Sequence, residues 1–465
     1  MAEPLWTSDE IVRATGGRLT GADFAATGVS IDTRSLEPGD LFVALAGERD
    51  GHAFVEQALA KGAAGTLVAR PVGKQAIVAG DTQVALEALG LAARARAVRV
   101  KCGAVTGSVG KTSVTQAVAA GLALAGPFHA SVKSYNNHIG VPLTLARMPR
   151  ETPRAVFEIG MNHPGEIAPL SRMVAPDAVV ITTVGAVHVE NFPDGEEGVA
   201  RAKAEIFAGL APGGTAILNA DDRWFDLMRR EAVHVGARVL TFGSSGEADA
   251  ELLTFTATAE GARVGARLGG EKLDFPIRQN GTHWGLNSLA LLLMLGELGV
   301  DRRTSLAALA EFAPLEGRGA ARRIHLSGGA FTLIDESYNA NPLSVTAALR
   351  TLGATPAQGR RIVALTDMLE LGAQSAKVHA DLAGPIEAAG IDLVFCAGPL
   401  MNSLWRALPP TRQGGYAETA AELEPRLVRA IEPGDVVMVK GSRDSKAVAL
   451  AQALSALDVW AGKVG

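Results

Sequence analysis

The sequence predicts an α/β protein of three domains, and three observations carry that prediction. Glycine supplies 53 of 465 residues while aromatic residues make up only 5%, a balance that suits many tight strand-to-helix turns. Two stretches, starting near residues 100 and 331, alternate short apolar runs with helical segments, the mark of mainly parallel sheets with crossover helices. Between them, Ala313-Pro314-Leu315-Glu316-Gly317-Arg318-Gly319-Ala320 interrupts the pattern with turn chemistry. The expected organisation is a small α/β domain over 1–98, a central parallel-sheet domain over 99–314 and a Rossmann-like domain over 315–465.

In the first segment, Gly39 to Leu45 reads as a turn followed by a buried strand, and Thr66 to Ala69 as a second strand. Val84 to Val98 has helical period and leads into the next domain. The central strands are expected at Cys102–Val105, Ala155–Ile159, Ala178–Ile181 and Thr215–Leu218. Those of the last domain fall at Phe331–Ile334, Arg361–Leu365, Leu393–Cys396 and Val436–Val439.

Composition excludes several classes. Hydrophobic residues at 48% and charged residues at 20% rule against extensive disorder. A net charge of −5 gives no basic footprint for nucleic acid. Cys102 and Cys396 stand far apart in apolar runs and read as buried thiols, with neither disulfide nor zinc spacing. The first residues, MAEPLWTSDE, lack a basic segment followed by an apolar run, and Leu289–Leu295 is too short to span a bilayer. A soluble, cytoplasmic, monomeric protein is expected.

The strongest motif is Thr106-Gly107-Ser108-Val109-Gly110-Lys111-Thr112-Ser113, set between a strand and a helix expected over Ser113–Leu124. Glycines let backbone amides crowd around phosphate oxygens, and the helix amino end favours negative charge. Lys111 can reach the outer phosphates and the Thr112 hydroxyl can ligate magnesium. The general pattern wants a glycine where Val105 stands, so this is a shortened phosphate loop. Glu158 closes an apolar strand, where a carboxylate is either exposed or paired with a cation. His188 and Glu190 follow the next strand in the same way, and His188 taken alone is a hydrogen-bonded loop residue. By spacing alone, Lys203 is a surface lysine on an amphipathic helix.

These motifs have company along nearly the whole chain. TGSVGKTS is followed by SYNNHIGVPLT (134–144), EIGMN (158–162), AVHVE (186–190), RAKAEIF (201–207), THWGLN (282–287), EGR (316–318), DESYNANP (335–342), TDMLELG (366–372) and KGSR (440–443). In this order they resemble the Mur ligases of peptidoglycan synthesis. The last three motifs look most like members that join D-alanyl-D-alanine to a UDP-N-acetylmuramoyl-tripeptide. The Asp-Asn-Pro-Arg tetrapeptide usual in the members that add the third amino acid is absent from this sequence.

The resemblance implies an ADP-forming amide ligase using ATP and two magnesium ions. It makes Glu158 and His188 ligands, one for each ion, and makes Lys203 a carbamoylated lysine whose carbamate oxygen faces magnesium. Gly107 to Ser113 would hold the phosphates, Asn287 would meet adenine, Arg318 and Asp335 the phosphates or ribose, and Tyr338 the base. In the first domain Ser30, Asp32, Thr33, Arg34 and Ser35, with Gly47, Asp50, Gly51 and His52, would hold the UDP moiety; ordinary turn chemistry is the competing reading. Asn136, Asn137 and His138 would face peptide or sugar. Lys440, Ser442 and Arg443 close the last domain, with Arg443 either binding the dipeptide carboxylate or forming a structural ion pair.

Overall fold

The apolar runs between glycine turns become strands, and most of these gather into three sheets. The coordinates are a computed structural model that describes residues 4–459 except 48, 133 and 259. The first sheet orders Arg18–Thr20, Ala76–Val78, Gly65–Val68, Asp40–Val43 and Gly28–Ser30, with only the first pair antiparallel. Helix Thr82–Arg96 follows it. Its start is fixed by Asp81, whose carboxylate accepts the amides of Gln83 and Val84.

The central sheet has nine strands. Its parallel part runs His129–Ala130, Arg154–Glu158, Lys101–Thr106, Ala178–Ile181, Thr215–Asn219, Arg238–Gly243 and Ala250–Thr258. Gly261–Leu268 and Glu271–Ile277 then extend it antiparallel. The strands expected from sequence do not include that extension. Its strands are only partly buried, so they lack the continuous apolar runs that mark the inner strands. Helices cover both faces. Gly121 lets the phosphate-loop helix approach helix Thr282–Glu297 closely, because a Cβ there would lie 2.5 Å from Leu295 Cδ1. The last sheet orders Ala320–Leu326, Gly329–Glu336, Val436–Lys440, Arg361–Thr366, Leu393–Ala397 and Gln413–Ala417, again with only its first pair antiparallel. Both cysteines are buried and free. Among the described residues no helix is long and apolar enough to cross a membrane.

The first two domains are stitched through backbone carbonyls. Arg94 Nε donates to Val174 O at 2.7 Å, and its Nη2 to Ala175 O at 3.0 Å. Arg96 donates across the seam to Met148 O at 3.3 Å and, within the first domain, to Leu5 O at 2.9 Å, with its guanidinium 3.8 Å over the Trp6 ring. Arg147 Nε reaches Val29 O at 2.6 Å, and the buried Trp6 indole donates to Ala146 O at 2.8 Å.

Candidate active site

Strand Lys101–Thr106 lies between Arg154–Glu158 and Ala178–Ile181, both of which follow it in the chain. Strand order therefore reverses here, and a crevice opens at the strands' carboxyl ends. Residues 107–110 cross that crevice, and the helix begins at Lys111 rather than Ser113. Gly107 (φ 149°) and Gly110 (φ 88°) adopt the positive φ values the turn requires. A cavity of about 620 Å³ covers the loop, lined from the middle domain by Ser108 to Ser113, Asn136, Asn137, Glu158, His188 and Asn287. The last domain and its linker contribute Arg318, Tyr338, Lys440, Ser442 and Arg443.

Charge is concentrated at the loop. Lys111 Nζ donates to Gly107 O at 2.6 Å. Burial lowers its pKa and nearby Arg318 adds to that, while Glu158 opposes it. Glu158 is 1% exposed; its Oε1 accepts from Asn136 Nδ2 at 2.6 Å and its Oε2 has no hydrogen-bond partner among the described residues. A buried carboxylate oxygen left unpaired is costly unless something positive meets it. Thr112 Oγ1, the other oxygen on the loop side, accepts from Arg318 Nη2 at 3.2 Å and contacts Ser134 Oγ at 3.2 Å. A hydroxyl and a carboxylate beside a phosphate cradle suit magnesium, which takes few protein oxygens and completes its shell with phosphates and water. Among the described residues no group of three or more His, Cys, Asp or Glu forms a self-sufficient metal cage.

Lys203 corrects the reading from spacing. It is 1% exposed and, among the described residues, forms no ion pair within 4.0 Å. Burial holds its pKa well below the usual lysine value, and Lys111 adds to the effect. The helical period placed it on a surface, but that face of the helix packs against the domain. His188 adopts a left-handed backbone (φ 53°), and its Nδ1 lies 2.6 Å from Glu370 Oε2 of the last domain. Its pKa is lowered by burial and by Lys111 and Lys203, with Glu370 opposing.

Other candidates hold structural partners. Asp335 Oδ1 accepts from Ser337 N and Oγ, and the Asp335 carbonyl receives Gly319 N. Tyr338 presents its ring to Arg318, whose Cζ lies 4.0 Å from the centroid, and its hydroxyl to Ser134 Oγ at 3.0 Å. Asn137 Oδ1 accepts from the amides of Ile139 and Gly140, just ahead of and at the start of the helix Gly140–Ala146. Lys440 is 3% exposed and donates to Glu336 Oε2 at 3.1 Å and Asn339 O at 3.0 Å. Ser442 Oγ accepts from Leu369 N at 3.0 Å. Arg443 is exposed to the cavity and, among the described residues, makes no ion pair.

The first-domain candidates do not line this cavity. Ser30 Oγ donates to Asp32 O, and Ser35 Oγ contacts the same carbonyl. Arg34 pairs with Asp32 at 2.6 Å. Asp50 contacts both His52 Nδ1 and Arg70 at 2.6 Å, while His52 Nε2 accepts from Ala69 N at 2.8 Å. Both ring nitrogens of His52 are thus engaged in holding its loop. Reading of the sequence passed over Ser134, His283, Trp284, Glu336, Leu343, Leu369 and Glu370, which also line the cavity. All but Leu343, which directly follows one, sit inside quoted motifs, and their signal was the company they keep.

Comparison with known proteins covers the chain in three consecutive segments. Residues 25–101 match the family model "Mur ligase family, catalytic domain", 105–295 "Mur ligase middle domain" and 322–443 "Mur ligase, glutamate ligase domain". The UDP-N-acetylmuramoyl-tripeptide–D-alanyl-D-alanine ligase of Escherichia coli is 35% identical, over 96% of this chain and 98% of its own. That of Bacillus subtilis is 32% identical, over 95% and 96%. The structure of MurF from Acinetobacter baumannii superposes with a TM-score of 0.86 at 28% identity, covering 98% of this chain and 99% of its own. MurF from Thermotoga maritima in complex with ADP shares the fold, with a TM-score of 0.78 at 23% identity over 92% of this chain and 97% of its own. With the shortened phosphate loop, the orphaned carboxylate beside it and near-complete alignment to these ligases, the chain belongs to the Mur ligase family.

Proposed function

We propose that the cavity joins D-alanyl-D-alanine to UDP-N-acetylmuramoyl-tripeptide at the expense of ATP, in the synthesis of peptidoglycan precursors. The relatives named above carry that activity in their names at 32–35% identity over nearly the whole chain. The observation that carries the mechanism is the meeting of the phosphate loop and Glu158 with Arg318, Tyr338 and Arg443 around one space. A carboxylate is a poor electrophile, so the tripeptide carboxylate first attacks the γ-phosphate, giving an acyl phosphate and ADP. The dipeptide amine then attacks the acyl carbon, phosphate leaves and the amine proton is released. The first step brings two anions together, so positioning and charge neutralisation dominate.

Lys111 would bridge the outer phosphates once its Nζ leaves the Gly107 carbonyl. The loop amides and helix amino end would hold the remaining oxygens. Asn287 would meet adenine, and Arg318 and Asp335 the phosphates or ribose. Thr112 and Glu158 would hold one magnesium ion, and His188 with a carbamate on Lys203 a second. Bound magnesium would supply charge neutralisation between the carboxylate and the γ-phosphate. Burial favours Lys203 as the neutral amine, and that amine can add to carbon dioxide, releasing a proton as the carbamate forms. Arg443, without an ion pair among the described residues, would take the dipeptide carboxylate, and the first domain the UDP moiety. The chain would work as a monomer where ATP and UDP-linked precursors meet, in the cytoplasm.

The test is phosphate release with ATP, magnesium and UDP-N-acetylmuramoyl-tripeptide, with amines added singly. Release only with D-alanyl-D-alanine, together with a product of pentapeptide mass, is expected. Release with a single amino acid on the dipeptide precursor would instead make the chain a sister ligase.

A further inference from the structure

We propose that Ser134 is a positioning residue that carries docking of the last domain to the Thr112 hydroxyl. The inference rests on the phosphoryl-transfer reading of the cavity. Ser134 lies in the segment after the phosphate-loop helix. Its Oγ is 3.2 Å from Thr112 Oγ1 on one side and 3.0 Å from the Tyr338 hydroxyl on the other. Tyr338 is itself anchored to the linker, through its ring under Arg318 and its amide on Gly317 O at 3.1 Å.

Counting donors gives the chain a direction at Thr112. A hydroxyl has one proton and two lone pairs, and a guanidinium only donates. Arg318 Nη2 donates to Thr112 Oγ1 at 3.2 Å and takes one lone pair; for the other to serve a cation or its hydration, the proton of Thr112 must point to Ser134. Ser134 is held as that acceptor by its second contact, to Tyr338. Without that contact its hydroxyl can rotate, and the proton of Thr112 loses its fixed acceptor. Docking of the last domain therefore sets the orientation of a metal-binding oxygen on the middle domain through two hydrogen bonds.

The experiment compares Ser134→Ala, Ser134→Thr, Tyr338→Phe and the Ser134→Ala/Tyr338→Phe pair with the wild-type chain. Phosphate release is measured across magnesium concentrations with D-alanyl-D-alanine present, and Mn2+ bound to the ADP complex is followed by electron paramagnetic resonance. Ser134→Ala and Tyr338→Phe should each lower kcat roughly tenfold, the scale of one lost hydrogen bond. Both should raise the magnesium needed for half-maximal rate and weaken Mn2+ binding, with KM for ATP changed less than about twofold. The pair should be no worse than its more damaged single variant, because both substitutions cut one path. Ser134→Thr, which keeps the hydroxyl, should restore rate and metal dependence. Additive losses, or unchanged kcat and metal dependence, overturn the inference. Tyr338→Phe removes a single oxygen and decides the matter by itself if Ser134→Ala melts early. Wild-type turnover with indifferent variants refutes this inference alone, whereas absence of wild-type phosphate release with any amine refutes the functional reading and the inference with it.

Discussion

Replacing Lys203 by methionine should make the protein more stable and inactive at once. The side chain is 1% exposed, forms no ion pair among the described residues, and has its pKa held well below 10.5 by burial. At neutral pH, folding must either bury the ammonium or release its proton, and both cost free energy. Each pKa unit of depression is worth about 1.4 kcal/mol. Apolar replacement of buried charge commonly gains about 1–4 kcal/mol. For a domain the size of the middle one, each kcal/mol raises Tm by about 2–4 °C. The sign with pH is fixed by linkage. The folded chain holds this proton more weakly than the unfolded chain, so the wild-type penalty is largest below the folded pKa. It shrinks as pH climbs from there to the ordinary lysine value and vanishes above it. Thermal melts of Lys203→Met and wild type, in buffer free of bicarbonate and magnesium, should therefore differ by several degrees at about pH 7 and less at about pH 9.5. Phosphate release should be lost in the variant. A Lys203→Met protein that melts below wild type by the same margin at both pH values would mean that the buried amine does not destabilise the fold.

Lys111→Ala should cost at least about 3 kcal/mol of barrier, more than a hundredfold in phosphate release, with the melting curve retained. Arg443→Ala should raise KM for D-alanyl-D-alanine roughly tenfold or more while leaving KM for ATP unchanged, as measured by varying each substrate in turn. Trp6→Ala removes an indole that is 2% exposed and bonded to Ala146 O. It should cost about 3–5 kcal/mol, read as early loss of the first domain's protection in hydrogen exchange.

The strands that carry the site were legible because they are buried on both faces and so read as unbroken apolar runs. Lys101–Thr106 and Arg361–Thr366 are such cases. The outer three strands over 250–277 were not, since these half-exposed strands mix polar and apolar residues. The phosphate loop announced itself through glycine spacing, a backbone requirement written locally. Lys203 did not, because the burial of one helix face is decided by packing against distant residues. Ser134 and Glu370 lie inside quoted motifs, but their roles were not legible for a related reason: each matters through a contact with another domain, and no local pattern encodes it. The first-domain residues read equally well as turn chemistry or ligand chemistry, and the hydrogen bonds of Asp50 and His52 are those of a turn held in place.

The seam between the first two domains bears on how these enzymes can diverge. Arg94, Arg96 and Arg147 cross it by donating to carbonyls, which every residue type presents alike. Their partners can drift in sequence at little cost so long as the chain trace survives. A first domain grafted from a relative should dock if it brings helix Thr82–Arg96 with its two arginines and offers a carbonyl in the place of Val29. The natural cut for such a chimera falls after that helix, and its success should depend on those arginines, Trp6 and the trace of the backbone more than on overall identity.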